Sequence, residues 1–168
     1  LSSTDGNPIL SEDAAALEAK GTFTWISKDA GTNTVNVTGI ALDSKFEDRY
    51  ELTTSELSNV SCSGAKIENA QIKNVSVRQM MELTYNGREQ LPEVTATGST
   101  LGGTAITFHY GLTAEQAADE NEWLNYVPAF TDAGTYTVYY TASAVNHDSV
   151  YGSFEIEIKN ASITGVDA

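Results

Sequence analysis

The stretch Asp132-Ala133-Gly134-Thr135-Tyr136-Thr137-Val138-Tyr139-Tyr140-Thr141-Ala142 decides the fold. From Thr135 onward it alternates, with Tyr136, Val138 and Tyr140 on one face and Thr137, Tyr139 and Thr141 on the other, which is the period of a β-strand. Its opening recurs 103 residues earlier as Asp29-Ala30-Gly31-Thr32-Asn33-Thr34-Val35. Two further matches keep the same order along the chain. Leu10-Ser11 with Ala15 and Ala16 echoes Leu112-Thr113 with Ala117 and Ala118, and Ile67-Glu68-Asn69-Ala70-Gln71-Ile72 returns as Ile158-Lys159-Asn160-Ala161-Ser162-Ile163. Three ordered matches read as a duplicated unit.

These matches place one module over residues 1–70, a second over 71–160, and a linker or the opening strand of a further repeat over 161–168. The second module has some 40 residues before Leu112 and the first only nine before Leu10, so the first module is either cut short at its N-terminus or naturally shorter. The sequence starts at Leu1 and not at Met, as a mature product or an excised piece does.

The remaining pattern is also β. Phe154, Ile156 and Ile158 alternate with Glu155, Glu157 and Lys159, giving a half-buried strand with a charged outer face. Further strands are expected over 34–38, 50–54, 72–78, 81–85, 94–97 and 105–110, with a hairpin-type turn at Asn86-Gly87 and a looser one at Gly102-Gly103. Helical turns are expected over 11–20, which is rich in Ala, Glu and Leu, and after Thr113-Ala114-Glu115-Gln116, which fits a capping box. Strands at intervals of about ten residues predict an all-β chain of two tandem β-sandwich modules with short helical insertions.

Composition excludes several classes of function. Nine Lys and Arg against 23 Asp and Glu leave a formal charge of −14, which argues against nucleic acid and against docking on an anionic membrane. A 40 % hydrophobic content supports a packed core, and no apolar run approaches the length of a membrane span. Cys62 is the only cysteine, so neither an intrachain disulfide nor a multi-cysteine zinc site is available.

Reactive patterns are correspondingly thin. His109 and His147 lie far apart in sequence, and no zinc-protease, nucleophile-elbow or phosphate-loop spacing occurs. Asn146-His147-Asp148-Ser149 has the residue types of a triad, but neighbours within one turn do not meet in triad geometry. Asp119, Glu120 and Glu122, and Asp43, Glu47 and Asp48, are oxygen-rich clusters without the spacing of a calcium loop, and they read as solvated acidic surface. No catalytic residue, metal or cofactor is expected. Asn36, Asn59, Asn74 and Asn160 each begin an N-x-S/T sequon, while Lys73 and Asn160 have the types for a side-chain crosslink. Tyr110, Trp123, Tyr126, Tyr139 and Tyr151 are the aromatics available to a sugar or a protein partner, with Trp123, Tyr126 and Tyr151 the expected contacts.

Asp132-x-Gly134-x-Tyr136-x-Val138 resembles the D-x-G-x-Y-x-C signature of immunoglobulin domains, with valine in the cysteine position. The resemblance implies that Asp132, Gly134, Tyr136 and Val138 are structural, with the tyrosine hydroxyl bonded back to the chain at a strand corner. Asp29 and Gly31 are their counterparts in the first module, where Asn33 replaces the tyrosine and the corner must be held another way. Leu83-Thr84-Tyr85-Asn86-Gly87, Gln90-Leu91-Pro92, Trp123 and the run from Pro128 to Tyr136 resemble bacterial Ig-like repeats of the MBG type. Gly21-Thr22-Phe23, Lys28 to Thr32, Val35 to Gly39 and Arg49-Tyr50-Glu51-Leu52 are similar to the YDG repeats of haemagglutinin-like proteins. Both families imply a non-catalytic repeat of a secreted, wall-associated bacterial adhesin. Such a repeat would be a monomer within a longer array, acting as a stalk and making contacts of its own to a host protein or glycan. The alternative is a carbohydrate-binding module of a glycan-processing protein.

Overall fold

Val35 and Val37, alternating with Thr34, Asn36 and Thr38, build the central strand of the first of two units. The structure is a computed structural model that describes Asp13 and residues 19–164. It is mostly β and divides into units Leu1–Glu68 and Asn69–Ala168. In the first unit β1 (Ala19–Trp25), β2 (Thr34–Leu42) and β3 (Leu57–Ser61) form an antiparallel sheet in the order β1-β2-β3. The register sets Phe23 opposite Val37 and Trp25 opposite Val35, so the apolar residues of these two strands share one face. Val35, Val37 and Phe46 are buried, while Phe23 stays 69 % exposed. Phe46 stands in the turn after β2, with Lys45 and Arg49 over its ring. Arg49 and the Tyr50 hydroxyl both bond the buried Asp13 carboxylate at 2.9 Å.

Two sequence expectations change in this unit. The helix read over 11–20 lies largely outside the described residues; Asp13 is helical, and Ala19 and Lys20 already belong to β1. Residues 50–54 are not a strand, because Arg49 and Tyr50 close a turn back onto the Phe46 carbonyl at 3.0 and 2.9 Å. The third strand begins instead at Leu57.

The second unit contains β4 (Ala70–Gln71), β5 (Lys73–Gln79), β6 (Leu83–Thr84), β7 (Val94–Ser99), β8 (Thr107–Gly111), α1 (Ala114–Ala118), β9 (Gly134–Ser143), β10 (His147–Asp148) and β11 (Val150–Lys159). A four-stranded sheet has the order β6-β11-β9-β8, with β6 parallel to β11 and the other pairs antiparallel. The pairs β5-β7 and β4-β10 are separate two-stranded sheets. Val77 of β5 packs with Tyr110, Val127, Val138, Phe154 and Ile156, and Val94 and Ala96 of β7 lie against the same cluster. The alternation legible in β9 and β11 is thus the inner face of the larger sheet, capped by the β5-β7 pair.

The turns do other work than expected. Asn86-Gly87 makes an Asx turn, the Asn86 side chain accepting from Arg88 N–H at 2.9 Å, but joins no antiparallel neighbours, since β6 runs parallel to β11. Gly102-Gly103 sits in a 3-10 turn that carries the chain from the smaller sheet to the larger one. Asn59 and Asn74, the first residues of two sequons, have positive φ at irregularities of β3 and β5, a backbone reason for asparagine there.

Candidate functional site

The repeated motif marks the same place in both units, the start of the central strand. In the second, the Tyr136 hydroxyl donates to the Asp132 carbonyl at 2.8 Å, and its ring stacks on Phe130 with centroids 4.1 Å apart. Val138, two residues on, is fully buried. Gly134 opens β9, where an added Cβ would stand in ordinary contact, 3.9 Å from the Tyr136 ring. In the first unit the backbone does what the tyrosine does in the second. Thr32 N–H bonds the Asp29 carbonyl at 3.2 Å around Gly31, whose φ of +85° suits the third position of a type II turn. Gly31 N–H then donates to the Ile67 carbonyl at 2.7 Å, and Ile67 N–H to the Thr32 carbonyl at 2.8 Å, a glycine-led bulge. Gly134 is paired with Ile158 in the second unit. Two segments that recur at different spacings in the sequence therefore meet in each unit.

The residues with chemical potential are dispersed. His109 is buried, stacked on Trp123 at 3.7 Å with its Nδ1 3.0 Å from the Asn125 side-chain oxygen. His147 accepts the Leu101 N–H on Nε2 at 3.2 Å, so Nδ1 carries the proton that meets the Val145 carbonyl at 2.7 Å. Asp148 is engaged by the side chains of Asn69 and Gln71. The tetrad Asn146-His147-Asp148-Ser149 is thereby a clasp between β9 and β11 that also holds β4. Cys62 is free, its N–H bonded to the Asn33 carbonyl at 2.7 Å. Among the described residues no group of three or more His, Cys, Asp or Glu is placed to hold a metal ion. Lys73 opens β5 and Asn160 follows β11, both exposed.

The aromatics do not form one platform. Tyr110 lies in the core, where burial pushes its phenol up from the ordinary value. Trp123 is taken up by His109, and Tyr126 is 60 % exposed and does not line the groove beside α1. Only Tyr139 and Tyr151 meet, in this groove beside the helix. That helix begins with the first half of a capping box, the Thr113 hydroxyl accepting Gln116 N–H at 3.1 Å, while the Gln116 side chain reaches one residue further back and accepts Leu112 N–H at 2.9 Å.

Sequence reading missed a seam along the end of β11. The Gln79 side chain accepts Glu157 N–H at 2.8 Å and donates to the Glu157 carbonyl at 3.1 Å, behaving as a peptide group. Leu83 and Thr84 then pair with Ile158 and Lys159, and Tyr85 N–H bonds the Lys159 carbonyl at 2.8 Å. Lys159 Nζ reaches Glu82 at 2.6 Å, which holds the Glu82 carboxyl below the usual carboxylate range and raises the lysine. A glutamine after an alternating strand has no local signature of this role.

Compared with protein-family models, curated proteins and solved structures, the chain matches none.

Proposed function

We propose that the chain is a pair of non-catalytic Ig-like β-sandwich modules, YDG-like over 1–70 and MBG-like over 71–160, from a secreted, wall-associated bacterial surface protein. They serve as spacers that carry tension between the cell and a more distal binding region. The observation behind this reading is the direction of pairing in the second unit. The first segments, β4 and β6, run parallel to β10 and to the last strand, β11. Pulling the two chain ends of this unit apart slides parallel neighbours past one another. Their bonds then share the load and break together, whereas an antiparallel hairpin pulled at its open end unzips one bond at a time. The seam from Gln79 to Tyr85 supplies those bonds.

Chain and sheet order support the Ig-like assignment. β8, β9 and β11 stand side by side as strands C, F and G do, β5 and β7 face them as A and B, and the tyrosine corner opens F. Between β8 and β9, α1 and a loop held by the isolated bridges of Leu124 to Tyr110 and of Phe130 to Gln90 stand where D and E strands would be. A net charge of −14 suits a soluble array whose members do not stick to one another.

Single-molecule extension of the full chain by its ends tests this reading. Unfolding of the roughly 90 residues of the second unit, at ~3.5 Å each, should release about 30 nm in one step with a distinct force peak. Gln79→Ala should lower that peak. A unit that extends without a peak, or a peak indifferent to Gln79→Ala, overturns the proposal.

A further inference from the structure

The outer face of the four-stranded sheet in the second unit carries a groove of about 520 Å³, with Ala114, Glu115 and Ala118 on the helix side and Tyr139, Tyr151 and Ser153 on the sheet side. Its shape follows from how closely α1 sits. A Cβ on Gly111 would come within 2.6 Å of the Ala117 backbone nitrogen, so glycine is what lets the helix rest on β8. The buried Thr141 hydroxyl donates to the Ala117 carbonyl at 2.6 Å and fixes the helix over β9. The helix ends at Ala118, leaving the neighbouring part of the sheet uncovered.

Strand register then places the rings. Tyr151 is opposite Thr141 and Ser153 opposite Tyr139, so Tyr139 and Tyr151 are diagonal neighbours on one face. Tyr151 is 63 % exposed, so its ring is open to a ligand lying in the groove. Among the described residues the hydroxyls of Tyr139, Tyr151 and Ser153 and the Glu115 carboxylate have no protein partner, and no Lys, Arg or His lines the groove.

From this we infer that the groove is a binding subsite for a neutral hexopyranose within a glycan, an inference that goes beyond the spacer reading and does not depend on it. The apolar faces of the two phenol rings take the C–H face of the sugar ring. Glu115 accepts from a pair of adjacent sugar hydroxyls, and the tyrosine and serine hydroxyls serve as both donor and acceptor. The absence of a lining cation, together with the charge of −14, disfavours uronic, sialic and sulfated sugars.

The test is amide chemical-shift titration of the full chain with neutral tetrasaccharides of glucose, of galactose and of N-acetylglucosamine, alongside tetragalacturonate and a decaproline peptide. At least one neutral sugar should shift the amides of residues 114–118, 139 and 151–153 saturably below about 10 mM, the weak affinity a shallow single-sugar site allows. Tyr151→Ala should weaken that binding by about tenfold or more, as removal of an aromatic anchor does, while Trp123→Ala should leave it unchanged. Thermal melting of Tyr151→Ala should stay near the parent value, separating lost contact from lost fold. Failure of every neutral sugar to saturate, binding that survives Tyr151→Ala, or a response to tetragalacturonate or decaproline alone overturns the inference. Each of those results leaves the force experiment untouched.

Discussion

Replacing Gln79 with alanine removes a side chain that stands in for a missing strand residue at the edge of β11. Three hydrogen bonds disappear, those to Glu157 N–H at 2.8 Å, to the Glu157 carbonyl at 3.1 Å and to the Met81 carbonyl at 2.6 Å. A typical intramolecular hydrogen bond is worth about 1 kcal/mol net. Freeing a glutamine from its fixed rotamer returns roughly 1 kcal/mol of side-chain entropy to the comparison. The expected loss is therefore about 2 kcal/mol, near 10 °C in melting temperature for a unit of this size. Trp25 and Trp123 are the two tryptophans, one in each unit, so a Trp25→Phe background isolates the second unit by fluorescence. Urea unfolding of that background with and without Gln79→Ala measures the difference. Gln79→Glu sharpens the test. Its carboxylate still accepts from Glu157 N–H but faces two carbonyl acceptors, so at neutral pH it should be worse than alanine, and acidification should relieve part of the excess. A loss below about 0.5 kcal/mol for the alanine variant, against the ~1 kcal/mol scale of a single bond, would refute the idea that this side chain completes the seam.

Three other perturbations probe separate parts of the argument. Tyr136→Phe removes the bond to the Asp132 carbonyl while keeping the stacked ring, and should cost around 1 kcal/mol in urea unfolding without altering any binding. Gly31→Ala places a Cβ at φ +85° with open space around it, so a loss of about 1–2 kcal/mol in the first unit, followed by Trp25 fluorescence, would be backbone strain alone. Glu82→Gln tests the pair with Lys159 through its pH dependence. The Glu82 carboxyl is held below its ordinary value of 4.5, so its contribution is present above that value and fades as pH falls through the lowered one. Lys159 is raised above 10.5, and its contribution is present below that value and fades as pH rises through the raised one. The melting temperatures of parent and variant should thus differ at neutral pH and converge at both extremes; a constant gap would show that the pair contributes nothing.

Much of the second unit was legible because its signals are local. Period-two alternation identified β9 and β11, whose inner residues Val138, Ile156 and Ile158 are fully buried or nearly so. Capping chemistry identified α1 from four consecutive residues. The first unit was harder. In β1 the apolar alternation is confined to Phe23 and Trp25, beside a run of Ala and Leu that reads as helix. Tyr50 to Leu52 looked like a strand because an aromatic and a leucine sit two apart, yet Tyr50 is claimed by Phe46 and Asp13. The aromatics show the same limit. Five were available on sequence, with Trp123, Tyr126 and Tyr151 the expected contacts, and partners distant in the chain decided which were occupied, His109 taking Trp123 and the core taking Tyr110.

By itself the sequence determined that the chain is built mainly of strands, where its motif repeats, and which side chains of β9 and β11 turn inward, because alternation and turn chemistry act over a few neighbouring residues. Tertiary structure alone decided that Gly31 meets Ile67 and Gly134 meets Ile158, that a glutamine side chain extends a sheet edge, and that Tyr139 and Tyr151 share a groove. Those outcomes depend on which strands become neighbours, in which direction and in what register, and that choice follows from burying one common apolar face rather than from any single segment.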